Sequence, residues 1–181
     1  QHEEMDRLNA EGLGIFILKG IETDILMDGS LDYSDEFLAR FDLVVASVHS
    51  GFKMAERDMT RRLISALESP HVDILGHPTG RLLLAREEYP VNIGEVIRAA
   101  VDLGKVIEIN ANPYRLDLSW RNAEYAKSLG MKLAINPDSH KTETLSDVYY
   151  GVSVARKAGL EPEDVVNCLG LDDFRKHFRI G

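Results

Sequence analysis

Basic residues are in short supply in this sequence. Its 181 residues carry 21 Lys and Arg against 30 Asp and Glu, a formal charge of −9. Contacts to a nucleic-acid backbone need a basic face, so this composition argues against a free-standing nucleic-acid binder. Cysteine is almost absent as well. The single Cys168 excludes an internal disulfide and fits a reducing cytoplasm. No apolar run reaches the roughly 18 residues of a membrane span. There is no low-complexity segment or linker, and no initiating Met stands at the head of the chain. The opening residues Gln1 to Asp6 are polar and helical in character, unlike a signal peptide. With 44% hydrophobic and 28% charged residues, the composition is that of an ordinary globular protein. One domain over residues 1–181, with a single sizeable core, is the simplest organisation.

The apolar pattern switches repeatedly between the two regular periods. Residues 1–12 read as a helix stopped by Gly12 and Gly14, followed by a strand from Ile15 to Glu22. Tyr33 to Arg40 predicts a short helix with Ser34 as its N-cap. Asp42 to His49 is the clearest buried strand, nearly continuous in its apolarity. Glu56 to Glu68 is an amphipathic helix with Met59, Leu63, Ile64 and Leu67 on one face. A strand over Val72–His77, a helix over Asn92–Leu103, a strand over Val106–Asn110 and a helix over Ser119–Leu129 come next. Lys132 to Ile135 is a fifth strand, ended by Asn136-Pro137 because proline lacks an N–H. A helix from Thr144 to Ala158, a Pro162-led helix and a final segment over Asp172–Phe178 complete the chain. Strands alternating with helices at this spacing predict parallel pairing through right-handed crossovers, hence an α/β layer or barrel.

In such folds ligands sit at the carboxyl ends of the strands. Here those ends carry Glu22, His49, His77, Glu108 with Asn110, and Asp138 with His140. Each residue alone has an ordinary reading: a lone His as a hydrogen-bonded loop residue, Glu22 as a solvated carboxylate, Glu108 and Asn110 as the brace of a turn or the cap of a helix. Their recurrence at every strand end favours a metal site. Carboxylates and imidazoles without thiolates suit Zn²⁺, Mn²⁺ or Fe²⁺, and suit catalysis better than structure. Lys53, Arg81, Arg115 and Lys141 follow the strand ends closely, where cations can clamp a phosphoryl group, although each alone reads as a surface charge. Trp120 and Tyr114 are able to stack on a base, but burial against the sheet is the expectation for both.

The stretches Gly20–Leu26, Val45–Phe52, Asp73–Arg81, Glu108–Pro113 and Asn136–His140 together resemble the later motifs of the PHP (polymerase and histidinol phosphatase) domain. The similarity is greatest to the PHP domain at the C-terminus of bacterial and archaeal family X DNA polymerases. It extends over nearly the whole chain, and Gly76-His77-Pro78-Thr79-Gly80-Arg81 is its most specific part. The resemblance implies a distorted β/α barrel of seven units, with up to three divalent ions, Mn or Zn and less often Fe. It also implies phosphoester hydrolysis, including 3′-5′ exonuclease action on DNA. Carried onto this chain, it makes Glu22 a bridging carboxylate and His49, His77, Asp138 and His140 metal ligands. Glu22, Asp138 and His140 become the catalytic candidates, and Arg81, Asn112 and Lys141 the weaker candidates for holding the phosphate.

The early motifs of that family, a His-x-His and an Asp-His, are absent. Five β/α units are present, and two more would take roughly 60 residues at about 30 each. The chain therefore reads as the C-terminal part of a PHP domain, with two exposed strand edges, to be completed by a further segment or a neighbouring chain. The resemblance points to DNA as a partner through the parent polymerase, in the cytoplasm and in DNA repair. Two other readings stand beside it: a phosphatase for a small phosphomonoester such as histidinol phosphate, and a non-catalytic scaffold supporting a polymerase.

Overall fold

The computed structural model of the chain describes residues 1–180. Five strands, β1 (Gly20–Asp24), β2 (Leu43–Ser47), β3 (Ile74–Leu75), β4 (Val106–Asn110) and β5 (Leu133–Asn136), form one sheet in that order. Every neighbouring pair is parallel. Each link must therefore cross back over the sheet, and helices make those crossings: α2 (Asp35–Leu38), α3 (Glu56–Leu67), α4 (Ile93–Asp102) and α5 (Trp120–Ser128). Helix α1 (His2–Ala10) precedes β1, and α6 (Val148–Lys157) and α7 (Leu171–Phe178) follow β5. The starts of three helices are fixed by side-chain caps. Ser34, Asn92 and Ser119 accept from the backbone N–H groups of Phe37, Glu95 and Asn122.

Alternation along the strands gives the sheet two different faces. Ala46, Leu75, Ile107, Ile109, Leu133 and Ile135 turn toward the helices and pack with Met59, Leu63 and Leu67 of α3 and Val96, Ile97 and Ala100 of α4. On the opposite face Ile74, Val106 and Ala134 form a smaller cluster with Val45, Val166, Phe174 and Phe178, so α7 covers this face. Farther along the same face β4 becomes polar, with Glu108 and Asn110 following Val106 at two-residue intervals. Arg62 of α3, 2% exposed, donates to the carbonyls of Ile25, Leu26 and Ser50 and so joins the loops that leave β1 and β2.

Several elements differ from the sequence expectation. The first strand starts at Gly20 rather than Ile15, because its partner β2 begins only at Leu43, opposite Gly20. Upstream, Ile17 pairs instead with the side-chain amide of Asn9, through bonds of 2.7 and 2.9 Å. The helix expected from Thr144 begins as a tighter 3₁₀ turn over Thr142–Asp147, where Leu145 is exposed and anchors nothing, and becomes α6 at Val148. The Pro162-led helix is a single turn, Pro162–Asp164, since the chain at Val165 leaves it to bridge Leu133 of β5. Tyr114 is 71% exposed and not packed on the sheet, while Trp120 is partly buried against the core, with Arg121 and Lys157 over its ring.

The two sheet edges also differ from each other. Besides the Val165 bridge, Asn167 covers β5: its amide accepts from the Ile135 N–H at 2.7 Å and donates to the Ile135 carbonyl at 3.0 Å. The expected pair of exposed edges is thus reduced to one. Among the described residues no strand pairs with the far side of β1. Among them, too, no helix is long and apolar enough to cross a membrane.

Candidate metal centre

Three side chains from the three adjacent strand regions β1, β2 and β3 converge. Glu22 lies within β1, His49 two residues past β2 and His77 two residues past β3. The Glu22 Oε1 atom is 3.3 Å from His77 Nε2 and 3.7 Å from His49 Nε2. One donor atom from each of the three lies within 4.8 Å of the others. Two imidazoles and a carboxylate without a thiolate fit a first-row divalent ion such as zinc or manganese.

The loop that carries His77 is gripped by two buried carboxylates. Glu108 accepts from the His77 backbone N–H at 2.8 Å, from Asn110 Nδ2 at 3.1 Å and from Asn136 Nδ2 at 2.9 Å. Asp117 accepts from the N–H groups of Thr79 and Gly80 at 2.9 and 3.0 Å. His77 takes a positive φ of 23°, a conformation this grip maintains. Gly76 before it admits no side chain: a Cβ there would stand 2.9 Å from Val45 Cγ1 and collide with Ser47 Oγ.

These contacts set the protonation of the group. The hydrogen bond from His77 holds the Glu22 carboxyl down at about 2, against the opposing effect of burial, with the charges of His77 and His49 helping. Burial disfavours charge on His77, but the hydrogen bond to Glu22 and the charges of Glu108 and Glu22 outweigh it and Arg115 together, so its pKa is raised. Burial pushes Glu108 up, opposed by the charge of His77 and by its amide donors.

The remaining sequence candidates are not part of this trio. Asp138 is outside the converging trio; its Oδ2 accepts from Asn110 Nδ2 at 3.2 Å and stands 3.8 Å from Arg115 Nε. His140 is solvent-facing and turned back on its own loop, with Nδ1 3.0 Å from the Asp138 carbonyl. The Arg81 guanidinium is occupied by the carbonyls of Arg115 and Leu116, which makes it a brace between loops. Asn112 closes a turn by accepting from the Tyr114 N–H, and Lys53 and Lys141 are exposed. Arg115, by contrast, is partly buried and faces Asp138. Two residues escaped the sequence reading. Asp117 looks like any loop carboxylate in sequence, and Asp24, whose Oδ1 lies 2.5 Å from His49 Nδ1, was legible only as the second residue after Glu22 on the same side of a strand.

No family model matches the chain. A search of solved structures pairs it with the histidinol phosphate phosphatase of Lactococcus lactis, crystallised with zinc, L-histidinol and phosphate. That alignment has a TM-score of 0.61 and 20% identity over 88% of this chain and 73% of that one. The chain shares the fold of that phosphatase. Sequence relatives carry related names. The chain is 46% identical to the DNA polymerase/3′-5′ exonuclease PolX of Bacillus subtilis, over 96% of its own length and 30% of that protein. It is 32% identical to a probable phosphatase of Thermoanaerobacter, over 85% of its length and 64% of the relative. The chain thus spans under a third of the first relative and under two thirds of the second. Their names support a hydrolase acting on phosphoesters.

Proposed function

We propose that this chain carries the hydrolytic centre of a metal-dependent phosphodiesterase, the 3′-5′ exonuclease unit of a family X DNA polymerase acting in cytoplasmic DNA repair. The convergence of Glu22, His49 and His77 at neighbouring strand ends carries the reading. The 46% identity to a polymerase with a named exonuclease activity supports this choice of substrate. Glu22, His49 and His77 would hold divalent ions, manganese or zinc with iron as the further candidate, and Asp138 and His140 would complete a centre of up to three. A bound divalent ion supplies a water of lowered pKa and offsets charge on the phosphoryl oxygens. The chain's own part is to fix the His77 backbone through Glu108 and to offer Arg115 to the phosphoryl group. Arg81 stiffens the loop that presents Arg115, while Asn112 and Lys141 are left for outer contacts to the substrate.

A second reading keeps the centre and exchanges the substrate for a small phosphomonoester, supported by the 32% identity to a probable phosphatase. Turnover on a single-stranded oligonucleotide and on a phosphomonoester, measured on the full-length protein, separates the two. The nuclease reading expects preference for the oligonucleotide, and a loss of at least about 100-fold in Glu22→Gln with unchanged circular dichroism. Preference for the monoester selects the second reading. Full activity in Glu22→Gln places the reaction at another centre, and no turnover of either substrate by the wild type leaves the scaffold role.

A further inference from the structure

We propose that Asp24 is a positioning residue, one that fixes the tautomer and ring orientation of His49 for ion binding; this rests on the metal centre proposed above. The Asp24 Oδ1 atom lies 2.5 Å from His49 Nδ1. An ionised carboxylate only accepts, so in the neutral ring Nδ1 carries the proton and Nε2 keeps its lone pair. Nε2 is the atom that faces Glu22, at 3.7 Å. Glu22 and Asp24 are two residues apart in β1 and therefore project to the same side. One short strand thus provides both a carboxylate for the ion and a carboxylate for the ligand beside it.

The anchor itself is held. The Asp24 N–H donates to Asp32 Oδ1 at 2.9 Å, and the Asp24 carbonyl accepts from the Asp32 N–H at 3.1 Å. The Thr23 hydroxyl donates to the same Asp32 oxygen at 2.6 Å. Stability of the fold does not account for the contact, because a pair exposed to 40% at His49 and 48% at Asp24 adds little. The comparison with His77 shows what the tether replaces. His77 is 3% exposed, has no partner at Nδ1, and is oriented by burial and by the grip on its loop. His49 has no such enclosure, so its ring direction depends on Asp24. Carboxylates in this relation to a ligating imidazole fix the ring and raise its basicity.

Zinc affinity, measured by competition with a chromophoric chelator, provides one test for wild type, Asp24→Ala, Asp24→Asn and each change in a His49→Ala background. The nitrogen-15 shifts of the His49 ring in the metal-free protein, at mildly alkaline pH, provide the other. Asp24→Ala is expected to weaken zinc about 10–100-fold and to release the ring from the Nδ1–H tautomer. Asp24→Asn, whose side-chain oxygen still accepts from Nδ1–H, should keep the tautomer and most of the affinity. In the His49→Ala background, Asp24→Ala should cost nothing more. An unchanged tautomer and affinity in Asp24→Ala would overturn the proposal. So would an equal further loss in the His49→Ala background, which would make Asp24 a direct ion ligand. Wild-type protein that binds no zinc or manganese would instead remove the metal centre on which the proposal rests.

Discussion

Glu22 and His77 hold opposite charges in the metal-free protein, and each favours the other's ionised form. The Glu22 carboxyl is lowered from 4.5 to about 2, so its contribution to stability is present above 4.5 and is lost as pH falls toward 2. The His77 imidazole is raised above 6.5, so its contribution is complete below 6.5 and is lost as pH rises through the higher folded value. The stabilisation from the pair is therefore greatest between those two limits. Thermal melts of chelated wild type and Glu22→Gln across pH should differ most in that window and converge on both sides. Saturating zinc should abolish the alkaline loss, because the ion takes the neutral imidazole. The same residues explain what the sequence concealed. Glu22, His49 and His77 were legible because they recur at strand ends, but Asp138 and His140 share that signature and stand apart from the trio. Position along the chain marks a rim; it does not say which side chains on the rim meet.

Among the elements, the internal strands β2 and β4 and the helices α3 and α4 were legible almost to the residue. Each is apolar in the period of its own geometry. The β1 start was not legible, since the apolar run Ile15–Leu18 extends beyond what β2 can pair. The covering of β5 was also hidden, because Asn167 performs a strand's hydrogen bonding with a side chain. Asn167→Ala should leave the Ile135 N–H and carbonyl without partners, at a cost of about 1–3 kcal/mol in urea unfolding. Faster amide exchange at Ile135, with β1 amides unaffected, would locate the loss. A change below the error of the unfolding measurement would mean that water replaces Asn167 at no cost.

For the whole molecule, the two halves of the sheet face that α7 covers divide the tasks of folding and chemistry. Phe174 and Phe178 of α7 pack on one part of that face, and the candidate ion ligands gather at the carboxyl ends of the strands. Ion binding should therefore stabilise the fold as a ligand of the native state. Zinc or manganese at about 100 times its dissociation constant is expected to add about 2.7 kcal/mol, read as a concentration-dependent rise in melting temperature. Elemental analysis of the same sample gives the ions per chain, and the absence of any rise with either ion would count against a folded centre.

The strand β4 has one more consequence. A parallel strand that slips by one residue turns its apolar set to the wrong face, an error the hydrophobic pattern excludes. A slip by two keeps every side chain on its proper face, and alternation alone gives no protection against it. Here the order Val106, Glu108, Asn110 supplies that protection. Slipped by two in one direction, Glu108 would take the place of Val106 beside Ile74, and its carboxylate would lose His77 and Asn136 as partners. A buried carboxylate that has lost most of its donors is far costlier than a misplaced methyl group. The gradient from apolar to polar along β4 therefore acts as a ruler during folding, and the residues that brace the site also select the one alignment in which the site exists.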